Sequence, residues 1–157
     1  IFLFEGTVRE NLTLWNDTIP EATVVQAAKD ACIHDDIIAL PGGYDAIIQE
    51  GGRNLSGGQR QRIEIARALC SGPRLLILDE ATRSMDVATE QVVISRIKRF
   101  MKERTTLMVT HRPDLFHHAD MIVVLDRGRV IFHGPPGELP PDTLEDLGMV
   151  KPVKAEA

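Results

Sequence analysis

The stretch NLSGGQRQRIEIARAL, residues 54–69, sets a serine and two glycines at the start of what reads as a helix. Ser56 and Gln59 have the S-x-x-Q spacing of a capping box, so Ser56 can cap that helix. For the spacing alone, a well-capped structural helix is the ordinary meaning. Gly57 and Gly58 change it, because each costs roughly 1 kcal/mol relative to alanine in a helix. What they supply is bare backbone N–H at the positive end of the helix dipole, open to an anion beside the Ser56 hydroxyl. The chemistry indicated is phosphate binding. Arg60 and Arg62 add positive charge nearby, although a solvated basic face is the commoner meaning of such residues. The ordinary P-loop pattern, GxxxxGK followed by Ser or Thr, has no match in the 157 residues, so a second half of the site is expected elsewhere.

A second candidate group closes the apolar run LLIL, residues 75–78. The run reads as a strand buried on both faces, and it ends in Asp79 and Glu80. That places both carboxylates at the carboxyl edge of a parallel sheet, where ligands of α/β proteins bind. An acid at a strand end is usually a loop residue or a helix cap, so the order of the pair carries the argument. A carboxylate ending a hydrophobic strand is the magnesium-side partner of a P-loop, and the next can take the proton of an attacking water. His111, after the strand candidate TTLMVT, would share that edge and could hydrogen-bond a terminal phosphate, though a lone strand-end histidine is more often structural.

The elements that must position these residues can be read along the chain. Thr7 and Glu10 have capping-box spacing, which predicts a short helix. A second helix is expected from about Pro20, with Val24, Val25, Ala28, Ala31 and Cys32 on one face, and a short turn of helix in HDDIIALPGG closes at Pro41 to Gly43. The capped helix after Ser56 turns Ile63, Ile65, Ala66, Leu69 and Cys70 inward. A further helix from about Ala88 to Met101 joins LLIL to TTLMVT, a link long enough for a parallel crossover. MIVVLDRGRVIFHG reads as a hairpin at the sheet edge, turning at Asp126 to Arg129, and the proline-rich acidic remainder as a short helix and frayed tail.

The length suits one domain, and 43% hydrophobic with 26% charged residues is ordinary globular composition. A net charge of −5 gives no general attraction to nucleic acid or anionic lipid, so a polyanion site must be local. Cys32 and Cys70 lack metal-ligand spacing and read as reduced core residues, in keeping with a reducing cytosol. No apolar run approaches the roughly 20 residues needed to cross a bilayer. The start at Ile1, within IFLF, suggests a piece of a longer chain.

LSGGQ at 55–59, LLILDE at 75–80, Asp86 and His111, in that order and spacing, resemble the second half of an ATP-binding cassette ATPase, the motor domain of ABC transporters. The resemblance runs to about residue 140 and implies an α/β fold: an incomplete P-loop NTPase-like domain, with a helical subdomain followed by a parallel-sheet core. It divides the chain into residues 1–58, ending in the signature motif, 59–133, the ATPase core, and 134–157, a terminal helix and tail. By resemblance Glu80 and His111 are catalytic, as general base and switch histidine. Asp79 holds Mg2+, and Ser56, Gly57, Gly58, Gln59 and the D-loop Asp86 bind ATP. Residues 44–52 resemble the loop that faces the coupling helices of exporters, with Glu50 at the acidic position, and IFLFEGTVREN the segment after the Q-loop glutamine. In the family two cassettes pair head to tail, so Ser56 and Gly58 are expected to touch ATP held by the partner's P-loop. The lysine missing from this chain belongs to that partner.

The resemblance further implies transmembrane domains of an exporter as partners, a place on the cytoplasmic face of the membrane through them, and a peptide or bacteriocin as cargo. One departure stands out: ATRSMD, residues 81–86, replaces the common ATSALD, with Arg83, Ser84 and Met85 where small or aliphatic residues are usual. With no P-loop or Q-loop, the chain alone is expected to bind ATP poorly and not to hydrolyse it. Two other readings are a soluble cassette ATPase and a non-catalytic half-cassette that lends its signature helix to a partner. A nucleic-acid patch of Arg60, Arg62 and Arg67 is opposed by the acidic balance and the lack of interleaved aromatics.

Overall fold

The computed structural model describes residues 2–140 and 142–143, and the chain divides after Val109 into two compact units. The first unit begins with β1 (Gly6–Thr7) and α1 (Val8–Thr13), which Thr7 and Glu10 close with the expected capping box. Then come α2 (Glu21–Asp30), α3 (His34–Ala39) and β2 (Ile47–Ile48), which pairs antiparallel with β1. The sequence predicts helices across this region and carries no sign of that two-residue pairing. Such a short bridge has no periodicity to detect.

The centre of this unit is α4 (Gly57–Cys70), which packs against α1 and α2. Its inward residues Ile63, Ile65, Ala66, Leu69 and Cys70 are all buried, as their helical spacing requires. They share one core with Val8 and Leu12 of α1 and Val24, Ala27 and Ala28 of α2. Next come β3 (Leu75–Asp79), α5 (Val87–Phe100) and β4 (Thr105–Val109). The two strands run parallel, in register from Leu75 opposite Thr105 to Asp79 opposite Val109. The crossover expected from the spacing is present.

One expectation is corrected. LLIL is not buried on both faces: Leu76 and Leu78 enter the core at 4% exposure each, while Leu75 and Ile77 are 53% and 58% exposed. Leu107 and Val109 of β4 are exposed with them. A strand turns alternate side chains to opposite faces, and the helices of this unit share a core with only the Leu76 and Leu78 side.

In the second unit β5 (Ile122–Asp126) and β6 (Arg129–Gly134) form an antiparallel hairpin, with a bulge between Val124 and Leu125. Arg127 and Gly128 at its tip both have positive φ, as a two-residue primed turn demands. The hairpin was expected at the edge of the parallel sheet. Among the described residues its strands pair only with each other. The terminal helix and tail lie outside the described residues, apart from 142–143. Among the described residues no helix is long and apolar enough to cross a membrane.

Candidate active site

Ser56 has extended backbone and caps α4. Its Oγ accepts the Gln59 backbone N–H at 3.2 Å, and its own N–H donates to Gln59 Oε1 at 2.9 Å. With Oγ used as an acceptor, the hydroxyl proton is left to donate outward. Gly57 and Gly58 form the first turn, where backbone N–H groups have no acceptor within the helix. Serine hydroxyl and first-turn amides together make an array of donors suited to an anion.

The back of this turn is braced from α3. Asp36 accepts from Gln59 Nε2 at 2.9 Å with one carboxylate oxygen and from Arg62 Nη1 at 2.8 Å with the other. Arg62 also donates to the Cys32 carbonyl, and Arg60 to the Leu55 carbonyl at 2.8 Å. Gly52, at φ +68, lies so close that an added Cβ would come within 2.8 Å of both Arg60 Cδ and Leu3 Cδ1. Arg67 reaches the Asn11 carbonyl at 2.7 Å. These arginines are therefore braces between segments. The solvated basic face considered from sequence is corrected, since all three side chains are half-buried against the chain's own backbone.

Glu80 continues the parallel ladder, its N–H donating to the Val109 carbonyl at 3.0 Å. Its φ of +45° is left-handed, a conformation costing a non-glycine residue roughly 1 kcal/mol. Arg83 Nη1 donates to Glu80 Oε2 at 3.2 Å, and the Arg83 N–H to the Glu80 carbonyl at 3.2 Å. Met85 turns inward and is buried, so the methionine of ATRSMD fills core space while Arg83 and Ser84 stay outside. Asp86 caps α5, accepting the Thr89 N–H at 2.9 Å. Hydrogen bonds from the Thr89 side chain and backbone hold its carboxyl below the usual range.

A cavity of about 340 Å³ brings Ser56, Gly57 and Gly58 against Ser84 and Asp86, with Arg62 also in its wall. The signature turn and the D-loop aspartate expected from sequence thus meet. Gln59 is absent from that lining; its side chain is engaged by Ser56 and Asp36. Asp79, exposed, and Glu80 follow one another at the carboxyl end of β3, outside this cavity. His111 belongs to the second unit and is exposed there.

Two residues of this site went unread in the sequence. Asp36 sits in HDDII, where no spacing distinguishes it from a solvated helix acid. Gln61 is buried at 6% exposure, and its Oε1 accepts the Ser84 N–H at 2.8 Å. It precedes Ile65 by one helical turn, so a polar residue at a core position was the available signal. Among the described residues no group of three or more His, Cys, Asp or Glu could hold a metal ion. A magnesium ion needs less, since it commonly takes one or two carboxylates with waters and substrate phosphates, and the exposed Asp79 fits that use.

The chain is 45% identical over 138 residues to an uncharacterized ABC transporter ATP-binding protein, YknU, of Bacillus subtilis, covering 88% of this chain and 24% of that protein. It is 47% identical over 132 residues to an ATP-dependent lipid A-core flippase of Syntrophus aciditrophicus, covering 84% and 22%. The chain thus spans about a quarter of the length of these relatives. Its structure matches that of a bacterial Atm1-family ABC exporter with ATP bound at a TM-score of 0.82 and 38% identity, over 94% of this chain and 25% of that one. The family model described as ABC transporter matches residues 3–83, more than half the chain. The α/β architecture, the signature turn and the strand ending in Asp79 and Glu80 therefore have one source: the chain belongs to the ABC transporter family, as part of an exporter-type ATP-binding domain.

Proposed function

We propose that this chain supplies the signature and Walker B side of an ATPase that drives transmembrane export. The observation that carries the reading is a cavity walled by Ser56, Gly57 and Gly58 on one side and Asp86 on the other. Its donors face outward at a helix start and suit the phosphates of a nucleotide bound by a second cassette. The division into residues 1–58, 59–133 and 134–157 is part of the same proposal, as are the head-to-tail partner and the membrane domains of the exporter. The place of work is then the cytoplasmic face of the membrane, with cargo chosen by helices outside this chain.

In this scheme the Ser56 hydroxyl and the N–H groups of Gly57 and Gly58 bind phosphate oxygens, and Gln59 acts from behind by holding the cap. Asp79 would hold magnesium, which would neutralise phosphate charge. Glu80 accepts a hydrogen bond from the attacking water and draws off its proton, and His111 hydrogen-bonds the terminal phosphate. Catalysis then rests on positioning and electrostatics. The chain on its own, with no P-loop pattern in its sequence, does not turn over ATP in this scheme.

The test is a cassette completed with a P-loop segment. Glu80→Gln is expected to stop steady hydrolysis while ATP still binds, read by phosphate release and nucleotide retention. Near-normal turnover would remove Glu80 from its role.

A further inference from the structure

The two walls of the nucleotide-facing cavity are joined by a contact that no part of the functional reading uses. Gln61, buried in α4, accepts the Ser84 N–H at 2.8 Å across 23 residues of chain. On the same side Gly58 meets the turn so closely that a Cβ there would lie 3.1 Å from the Ser84 carbonyl oxygen. At Gly57 a Cβ would lie 3.5 Å from the Ser84 Cβ. Ser84 is thus held through its N–H by α4, and the bare Gly58 leaves its carbonyl room to lie close, two residues before Asp86.

We propose that Gln61 is a positioning residue that makes the Ser84–Asp86 turn and the phosphate-facing start of α4 move as one body. This rests on the signature-motif reading of Ser56 to Gly58. The physical case is the buried end of the bond. Gln61 is in the core while Ser84 lies at the surface, so the carboxamide oxygen, which would be costly to leave without a donor, holds the Ser84 N–H in place. Gly58 lets the turn come this near the helix, because a Cβ there would crowd the Ser84 carbonyl. The bond ties the turn to the helix that Gly58 opens, so a displacement of Gly58 on phosphate binding is transmitted to Ser84. The backbone N–H of Arg83, the preceding residue, donates to the Glu80 carbonyl at 3.2 Å, which joins the same turn to the proposed base through the main chain.

The test has two arms. In the unmodified chain, hydrogen exchange followed by NMR is expected to show the Ser84 amide protected. An open-chain exchange rate there would overturn the inference, and this measurement needs no variant to fold. Gln61→Met keeps length and apolar volume without the acceptor, whereas Gln61→Glu keeps an acceptor oxygen. Exchange at Ser84 is expected to speed by about tenfold or more in Gln61→Met and to stay slow in Gln61→Glu. In the cassette completed with a P-loop segment, Gln61→Met is expected to lower kcat by about tenfold with KM for ATP moved less than about twofold, and Gln61→Glu to restore most of the turnover. Equal loss in both variants, or unchanged kcat in Gln61→Met, would overturn the proposal. Glu80→Gln run beside them separates the two readings. If it leaves turnover normal, the ATPase assignment fails while the exchange result still decides the Gln61 link.

Discussion

Gln59 of the signature turn donates its side-chain amide to Asp36, a residue of α3, at 2.9 Å. The other Asp36 oxygen takes Arg62 at 2.8 Å, so one carboxylate clamps two residues three positions apart in the first turns of α4. Charge-assisted bonds of this kind are about twice as strong as neutral ones. Asp36→Ala is expected to destabilise the chain by about 1 kcal/mol, with Asp36→Asn between it and wild type, measured by urea unfolding. Identical midpoints for all three would show that the clamp is not maintained in solution.

How much of this was readable beforehand depends on what each residue needs to be read. The Ser56 cap and the inward face of α4 are local, because spacing in sequence sets spacing on a helix, and both are present. The parallel pairing of β3 with β4 followed from the length of the link. Asp36, Gln61 and the outward face of Leu75 and Ile77 were not legible. Each depends on what lies opposite, contributed by residues 20 or more positions away or by no described element at all. The basic triplet, already opposed as a nucleic-acid patch by the acidic balance, has partners of both kinds: Arg60 reaches nearby carbonyls, and Arg62 and Arg67 reach ones 30 and 56 residues away.

Arg83 is the part of ATRSMD that departs most in chemistry from the common small residue. It pairs with Glu80, yet its side chain is 73% exposed, and pairs that open to water contribute little. In the completed cassette, Arg83→Ser is therefore expected to change kcat by less than about fivefold, in contrast to Glu80→Gln. A loss as deep as that of Glu80→Gln would make Arg83 essential to the base and would need another explanation than this exposed pair.

Tyr44 is the only tyrosine, so its ionisation can be followed by absorbance without interference. Burial, and secondarily the charge of Glu21, push its phenol up to about 12 from the ordinary 10. The His34 Nδ1 lies 3.0 Å from the hydroxyl. The sign follows by linkage. Below pH 10 both folded and unfolded forms keep the proton and the stability is intact. Between pH 10 and about 12 only the unfolded form ionises, so stability falls as pH rises. Titration is expected to show half-ionisation near pH 12 in the folded chain, or an earlier jump that coincides with unfolding by circular dichroism. Ionisation at pH 10 with the fold retained would contradict the burial of Tyr44.

The two faces of β3 give opposite expectations for adjacent residues. Leu78 is 4% exposed and shares the core with α4 and α5, so Leu78→Ala removes buried methyl groups and leaves a void, at a cost of about 2–5 kcal/mol. Ile77, its neighbour, is 58% exposed opposite the equally open Leu107. Ile77→Thr keeps the β-branch that suits a strand, and a surface change of this kind stays within about 0.5 kcal/mol. Because Leu75, Ile77, Leu107 and Val109 together make an outward apolar patch, the pair Ile77→Thr and Leu107→Thr should also reduce self-association of the chain. Urea unfolding measures the first contrast and sedimentation the second. If Ile77→Thr costs as much as Leu78→Ala, the outward face is covered in solution and the sheet is not open on that side.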